Sequence, residues 1–400
     1  MKDVSERFCE IDDIAQKNTE KVLSSFRHHR VSDACFAGTT GYGYNDKGRD
    51  TLDQIYADVM RMPAALVRAG FVSGTHAITT ALFAALRPGS TILSVTGLPY
   101  DTLQGVIGIK GKFGGSMREY GVGYSQIELN ESGAPDLKAI AQTVRYGGIG
   151  AVLVQRSRGY SSRRALSVRE IGCICDTVHS ADSSIVVFVD NCYGEFTEIS
   201  EPGEVGADLI AGSLIKNPGG GLAPAGGYVA GREDLVGAAA SRLTAPGIGG
   251  VAGATMGVNR LLYQGLFMAP HTVAQAMKTV VFCARLFELM GYDTSPGYLE
   301  PRSDIVQMIK LGSPELLERF CKGIQAGAPI DSFVAPVAGD MPGYDCPVIM
   351  AAGSFIQGAS IELSADGPLR APYSVYVQGG LTFESGKLGV MLAASYLEEP

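Results

Sequence analysis

The chain has 400 residues, 46% apolar and 18% charged, with 33 Lys and Arg against 41 Asp and Glu for a net charge of −8. That balance excludes a basic nucleic-acid surface and a polybasic membrane patch. No apolar run reaches the roughly 18 residues of a membrane-spanning helix, and the opening stretch MKDVSERFCEIDDIAQKNTE is too acidic for a signal peptide. The expectation is a cytoplasmic globular protein of two or three domains. The eight cysteines are scattered and only Cys173 and Cys175 are near neighbours, as C-x-C. This spacing predicts reduced, mostly buried thiols and neither a disulfide framework nor a metal site.

In chain order, the spacing of Ile11, Ile14, Ala15, Val22, Leu23 and Phe26 predicts a helix within residues 1–35. Residues 36–50 form a Gly- and Tyr-rich arm, and a helix follows over 51–62. A regular alternation then begins. Short apolar runs at 64–72, 91–95, 126–129, 150–154, 184–189, 207–211 and 226–230 predict strands, and 75–86, 135–144 and 167–179 predict helices between them. Buried strands alternating with helices imply a mostly parallel sheet covered on both faces. Beyond residue 250 the pattern changes. Two long helices are expected at 251–264 and 272–290. A strand region at 305–311, a helix at 315–325, strands near 347–363 and 373–378, and a last helix at 385–397 then suggest a smaller α+β domain. The expected division is an N-terminal helix and arm (1–50), a large domain (51–285) and a small C-terminal domain (286–400).

Residues 187–231 hold the informative chemistry. One apolar strand runs into Asp190, and a second, ADLIAGS, runs into Lys216. A carboxylate at the end of a buried strand is costly unless a cation meets it. In open α/β sheets ligands gather at the carboxyl ends of strands, so these two groups are expected to share a pocket. Pyridoxal 5'-phosphate accounts for the pair. It needs a lysine for a Schiff base and an acid that keeps its pyridine nitrogen protonated. Burial is expected to lower the lysine's pKa and leave a nucleophilic fraction. Ser73-Gly74-Thr75-His76 sits at a strand-to-helix junction, where free N–H groups bind a phosphate, and Ser213 offers a further hydroxyl. The Gly-x-Gly pieces at 41–43 and 121–123 lack the dinucleotide fingerprint.

The ordered set of Thr51-Leu52 after the Tyr-rich arm, S-G-T-H-A-I-T (73–79), Tyr100, V-D-N (189–191), G-A-D-L-I (206–210) and S-x-x-K (213–216) resembles the Cys/Met-metabolism group of pyridoxal-phosphate enzymes. Within that group it is similar to the methionine gamma-lyase-like family associated with aluminium resistance and related to cystathionine beta-lyases. The resemblance implies an aspartate-aminotransferase-like α/β fold and a homodimer or homotetramer. By position, Lys216 resembles the Schiff-base lysine and Asp190 the ring-nitrogen carboxylate. Gly74, Thr75 and Ser213 resemble phosphate binders, with Ser73 and His76 beside them as further cofactor-side candidates, and Tyr100 resembles the aromatic that stacks on the ring. Tyr44 resembles the arm tyrosine that reaches a neighbouring subunit's phosphate, and Tyr193 a tyrosine that reaches the ring's phenolic oxygen. Arg370 and Arg158 are the candidates for the substrate carboxylate, which a guanidinium binds bidentately. The arm departs from the better-known lyases: Asp46 stands where their phosphate-binding arginine does, and Gln155–Tyr160 replaces their Pro-x-Asn-Pro. The expected reaction is β- or γ-elimination at a carbon–sulfur bond of an amino acid. Alternatives are an aminotransferase or other amino-acid enzyme on the same cofactor, or a non-catalytic cofactor-binding protein linked to metal stress.

Overall fold

The computed structural model describes residues 1–111, 114–341 and 344–398. Two helices open the chain: α1 (Ser5–His28) and α2 (Lys47–Met60). The alternation follows as β1 (Ala64–Arg68), α3 (Gly74–Ala85), β2 (Thr91–Ser94), α4 (Asp101–Ile107), β3 (Gly123–Gln126), α5 (Leu137–Tyr146), β4 (Ile149–Gln155), α6 (Val168–Ala181), β5 (Val186–Asp190), β6 (Leu209–Ser213), β7 (Gly227–Gly231) and α7 (Glu233–Leu243). These strands form one seven-stranded sheet in the order β1-β7-β6-β5-β4-β2-β3. It is parallel from β6 through β3, while β7 runs antiparallel to both its neighbours.

Successive strand residues point to opposite faces, and the core divides accordingly. Leu66, Leu153, Phe188, Leu209 and Val229 pack with α3, α4 and α7 on one face. Val67, Val154, Val189, Ile210 and Ala230 pack with α1, α2, α5 and α6 on the other. The sheet is therefore buried on both sides, as the near-continuous apolar runs require.

The two helices expected after residue 250 are one element, α8 (Asn259–Leu289), which begins eight residues later than its apolar pattern and continues through Pro270. A proline inside a helix removes a hydrogen bond and clashes with the preceding turn, a penalty of about 3 kcal/mol. Burial offsets it here: Leu266, Ala269, Val273 and Met277 all lie in the core. Residues 251–258 are instead an irregular stretch, held with the glycines before it by two buried arginines. Arg49 donates to the carbonyls of Gly253 (3.0 Å) and Val251 (3.2 Å), and Arg68 to that of Gly250 (3.0 Å).

The remainder is β8 (Asp293–Ser295), β9 (Val306–Lys310), α9 (Pro314–Ala326), β10 (Val348–Ala351), β11 (Ser364–Pro368), β12 (Ser374–Gln378) and α10 (Phe383–Glu398). Its five strands form a second, antiparallel sheet, β10-β11-β12-β9-β8. Phe287 of α8 joins the core of this sheet with Phe320, Ile309 and Val377. Strand β11 falls at Ser-Ala-Asp-Gly-Pro, a sequence without apolar signal, and so lies outside the 347–363 run the sequence favoured. Among the described residues, no helix is long and apolar enough to cross a membrane.

Candidate active site

Register places the chemistry at one edge of the large sheet. Gln155 of β4 pairs with Asp190 of β5, which pairs with Ala211 of β6, two residues before Ser213. β1 runs parallel to β6, so its exit turn, which leads to Ser73, reaches the same edge. There a cavity of about 320 Å³ is lined by Ser73, Gly74, Thr75, Tyr100, Asp190, Cys192, Tyr193, Ser213 and Lys216, and closed by Gln155, Ser157, Tyr160, Tyr344 and Gly358.

Lys216 is held by its turn. Its N–H donates to the Ser213 carbonyl at 3.3 Å, and Gly219 donates back to the Lys216 carbonyl at 3.3 Å. The glycines behind it admit α8: a Cβ on Gly220 would stand 2.3 Å from the Gly265 carbonyl oxygen. This close approach needs bare backbone on both sides. The Lys216 ammonium lies 3.9 Å from the centre of the Tyr193 ring, and Tyr193 adopts a left-handed φ of 69° to present that ring.

Asp190 is buried, and its Oδ1 accepts from the Cys192 N–H at 3.1 Å. Burial raises its pKa, while Lys216 and the Cys192 hydrogen bonds pull the other way. For Lys216 the outcome differs from the sequence expectation. Burial does act to lower its pKa, but Cys192, Tyr193, Asp190 and Tyr100 together outweigh it, and the ammonium is held well above the usual lysine range. An amine among anion-forming groups keeps its proton despite burial. The Cys192 thiol is pushed far up, by burial first and then by Asp190.

The opposite wall is the start of α3. Ser73 caps this helix, its Oγ accepting from the His76 N–H at 3.1 Å. A Cβ on Gly74 would stand 2.9 Å from the Ser213 Cβ, so the glycine keeps open the cleft between the helix start and β6. The Tyr100 hydroxyl bonds Thr75 Oγ1 at 3.1 Å, and its backbone N–H is held by Gln155 Oε1 at 2.9 Å. Burial first, then Asp190, raises the Tyr100 phenol above its ordinary value.

Four of the candidate residues stand elsewhere. His76 is outside the lining: its Nδ1 accepts from the Val72 N–H at 3.3 Å and its ring packs edge-on against Phe71. Tyr44 is exposed and stacked on Tyr42. Arg158 is buried and donates to the Ser295 carbonyl (2.8 Å) and hydroxyl (3.1 Å). Arg370 is exposed and lines a neighbouring pocket with Lys310 and Tyr376; Tyr160 separates that pocket from the Lys216 cavity.

Sequence reasoning missed the aromatic wall. Tyr160 lies between Tyr344 and Tyr376, at 5.4 and 5.2 Å between ring centres. It shares a hydrogen bond with Asp366, which also accepts from Gln378 at 2.8 Å. Burial pushes Asp366 up to about 6. Tyr344 and Asp366 come from segments without periodicity, and no sequence signal ties them to the site.

The arrangement fits pyridoxal phosphate. It offers a helix start opened by a glycine that a Cβ would block, an amine beside an aromatic ring, and a buried carboxylate across one cavity.

The sequence profile of the methionine gamma-lyase family matches residues 1–398. A Clostridium novyi NT structure described as a carbon–sulfur lyase involved in aluminium resistance is 52% identical, with a TM-score of 0.95 over 99% of this chain and 93% of that one. The Bacillus subtilis protein YnbB is 47% identical over 389 residues, 97% of this chain and 92% of its own length. A pyridoxal-5'-phosphate-dependent protein of Escherichia coli, YhfS, shares the fold at 18% identity, with a TM-score of 0.65 over 97% of both chains. This chain belongs to the methionine gamma-lyase family.

Proposed function

We propose that the protein is a pyridoxal-phosphate-dependent carbon–sulfur lyase of the aminotransferase-like fold, acting on a sulfur-containing amino acid by β- or γ-elimination. The observation that carries this reading is the buried Asp190 and the half-buried Lys216 lining one cavity opposite the opened start of α3. Family membership and the description of the Clostridium relative support it. When bound, the cofactor supplies an electron sink for charge developing at the substrate's α-carbon. The chain's own residues do the rest. The α3 N–H groups with Ser73, Thr75 and Ser213 hold the phosphate. Asp190 would keep the ring nitrogen protonated, and Tyr100 and Tyr193 would line the part of the cavity that takes the ring. Lys216 would be the attachment point and, once substrate has displaced it, would take the proton from the substrate's α-carbon. In β-elimination loss of that proton would let the carbon–sulfur bond break with its electron pair on sulfur, in γ-elimination a β-carbon proton would have to leave as well, and water would release the remainder as a 2-oxo acid and ammonia. Arg370 is the carboxylate candidate, reached past Tyr160, because Arg158 is committed to Ser295.

Titrating the protein with pyridoxal phosphate is expected to produce a visible absorbance band. Incubation with cystathionine, methionine and cysteine is then expected to release thiol, 2-oxo acid and ammonia in step from at least one of them. Absence of the band overturns the cofactor assignment. A reaction that needs a 2-oxo acid acceptor and releases no ammonia overturns the lyase assignment in favour of transamination, and a stable band without turnover overturns catalysis.

A second copy of the chain is the proposed partner. Tyr42, Tyr44, Val251 and Met256 are all exposed. They lie together because the arm bonds the irregular stretch, Gly253 N–H to the Tyr42 carbonyl (2.9 Å) and Met256 N–H to the Thr39 carbonyl (3.0 Å). Such an apolar patch marks an interface. Sedimentation is expected to show a dimer or tetramer that Tyr42→Asp with Tyr44→Asp weakens; a monomeric wild type overturns the proposal.

A further inference from the structure

Against the turn that carries Lys216 lies an acid that no step above uses. Glu195 has no solvent exposure. Its Oε1 accepts from the Tyr228 hydroxyl at 2.9 Å, while its Oε2 is buried without a partner among the described residues. Asn217, next to Lys216, donates its side-chain N–H to the Glu195 carbonyl at 2.9 Å. A Cβ on Gly212 would stand 2.5 Å from Glu195 Oε1 and 2.6 Å from the Tyr228 ring, so β6 is bare backbone where the carboxyl passes. The acid thus presses on the strand leading to Lys216, and its backbone ties down the residue after it. We propose that Glu195 is a positioning residue for Lys216, a buried acid whose charge state sets how firmly the lysine nitrogen holds its proton. The proposal rests on the reading of Lys216 as the cofactor lysine.

The surroundings give Glu195 little else to do. An unpartnered buried carboxyl oxygen destabilises a fold. Several charged or titratable groups face it. Tyr228 comes from β7, Tyr56 from α2, Glu201 and Cys192 from its own turn, and Lys216 from the turn after β6. Arg156 packs against the adjoining Gly194. Burial and then the Glu201 charge push Glu195 up to about 8, against the pull of its own backbone N–H, then of Tyr228 and Lys216. At neutral pH it therefore keeps its proton, and Asp190 is the carboxyl that acts on Lys216. Above pH 8 a second carboxylate forms beside the lysine and tightens its hold on its proton.

The test is a pH titration of the visible band of the cofactor-loaded protein, wild type against Glu195→Gln. The variant's transition is expected to move to lower pH by about one unit, a tenfold change in proton affinity. Melting of the cofactor-free protein gives a second readout. Because the folded-state pKa lies above the ordinary 4.5, the wild type loses stability as pH rises from 4.5 through about 8. Glu195→Gln does not, so it is expected to melt higher than wild type at pH 8 and to lose that advantage near pH 4.5. An acid retained only for its hydrogen bond would give a variant that melts no higher at any pH. Tyr228→Phe removes the donor to Oε1 and is expected to move the alkaline step upward; it serves if Glu195→Gln does not fold. Titrations that superimpose on wild type overturn the proposal. A wild type with no visible band overturns the reading of Lys216 itself, which is a different result.

Discussion

Lys216→Ala is expected to lower kcat and kcat/KM together by about 10²–10⁴-fold, the contribution of a positioned proton-transfer group, and to abolish the visible band. The two constants fall together when the lost interaction is made only in the transition state. The substitution is a clean probe. The backbone at 216 makes its turn bonds through N–H and carbonyl, which alanine retains, and the side chain ends beside the Tyr193 ring without supporting another element. The raised pKa of Lys216 sharpens the expectation. A lysine held protonated by the anion-forming groups around it must give up that proton before it acts as a base, so the same neighbours that fix its position also govern its activity. A small primary amine added to Lys216→Ala is expected to restore part of the rate. A variant within tenfold of wild type, with its band intact, would remove Lys216 from the chemistry.

The Asp190–Lys216 pair was legible in the sequence for a physical reason. Each side chain follows a short apolar run, and a charge at the end of a buried strand has few reasons to be there other than a ligand. Strands buried on both faces also leave apolar runs that need no partner information to recognise, so β1, β2 and β4 to β7 fell close to the expected positions. Elements that depend on distant packing were not legible. Pro270 divides the pattern of α8, and its burial against Gly219 and Gly220 accounts for one helix spanning the proline. The Tyr160 wall is assembled from β11, β12 and the loop holding Tyr344, segments more than 180 residues from Tyr160 that periodicity cannot relate to it. Arg370 shows the same limit. Its sequence surroundings suggest a substrate clamp, but which side of Tyr160 it occupies is a tertiary fact.

Arg156→Met is expected to destabilise the protein by about 3–5 kcal/mol, the loss that follows when one member of a buried ion pair is removed and the other charge is stranded. Neither Arg156 nor Glu201 has any exposure, and they stand 3.6 Å apart. The guanidinium also donates to Asn191 Oδ1 at 2.7 Å and to Glu198 at 2.9 Å. Asn191 in turn donates to Glu201 at 3.2 Å, and Glu201 accepts from the Phe196 N–H at 2.9 Å. These contacts hold the turn from Asp190 to Thr197, which places Asp190, Cys192, Tyr193 and Glu195. Adding Glu201→Gln to Arg156→Met removes the stranded charge and is expected to recover a large part of the loss. Denaturant midpoints at constant slope measure both steps. A loss under about 1 kcal/mol, or no recovery in the double variant, would show that the ion pair does not hold the turn. The same charges reach the active site through Glu195, whose pKa the Glu201 carboxylate raises. Unmasking Glu201 by Arg156→Met is therefore expected to push Glu195 higher still, and Glu201→Gln to bring it down, so the turn's stability and the lysine's proton affinity vary with one set of buried charges.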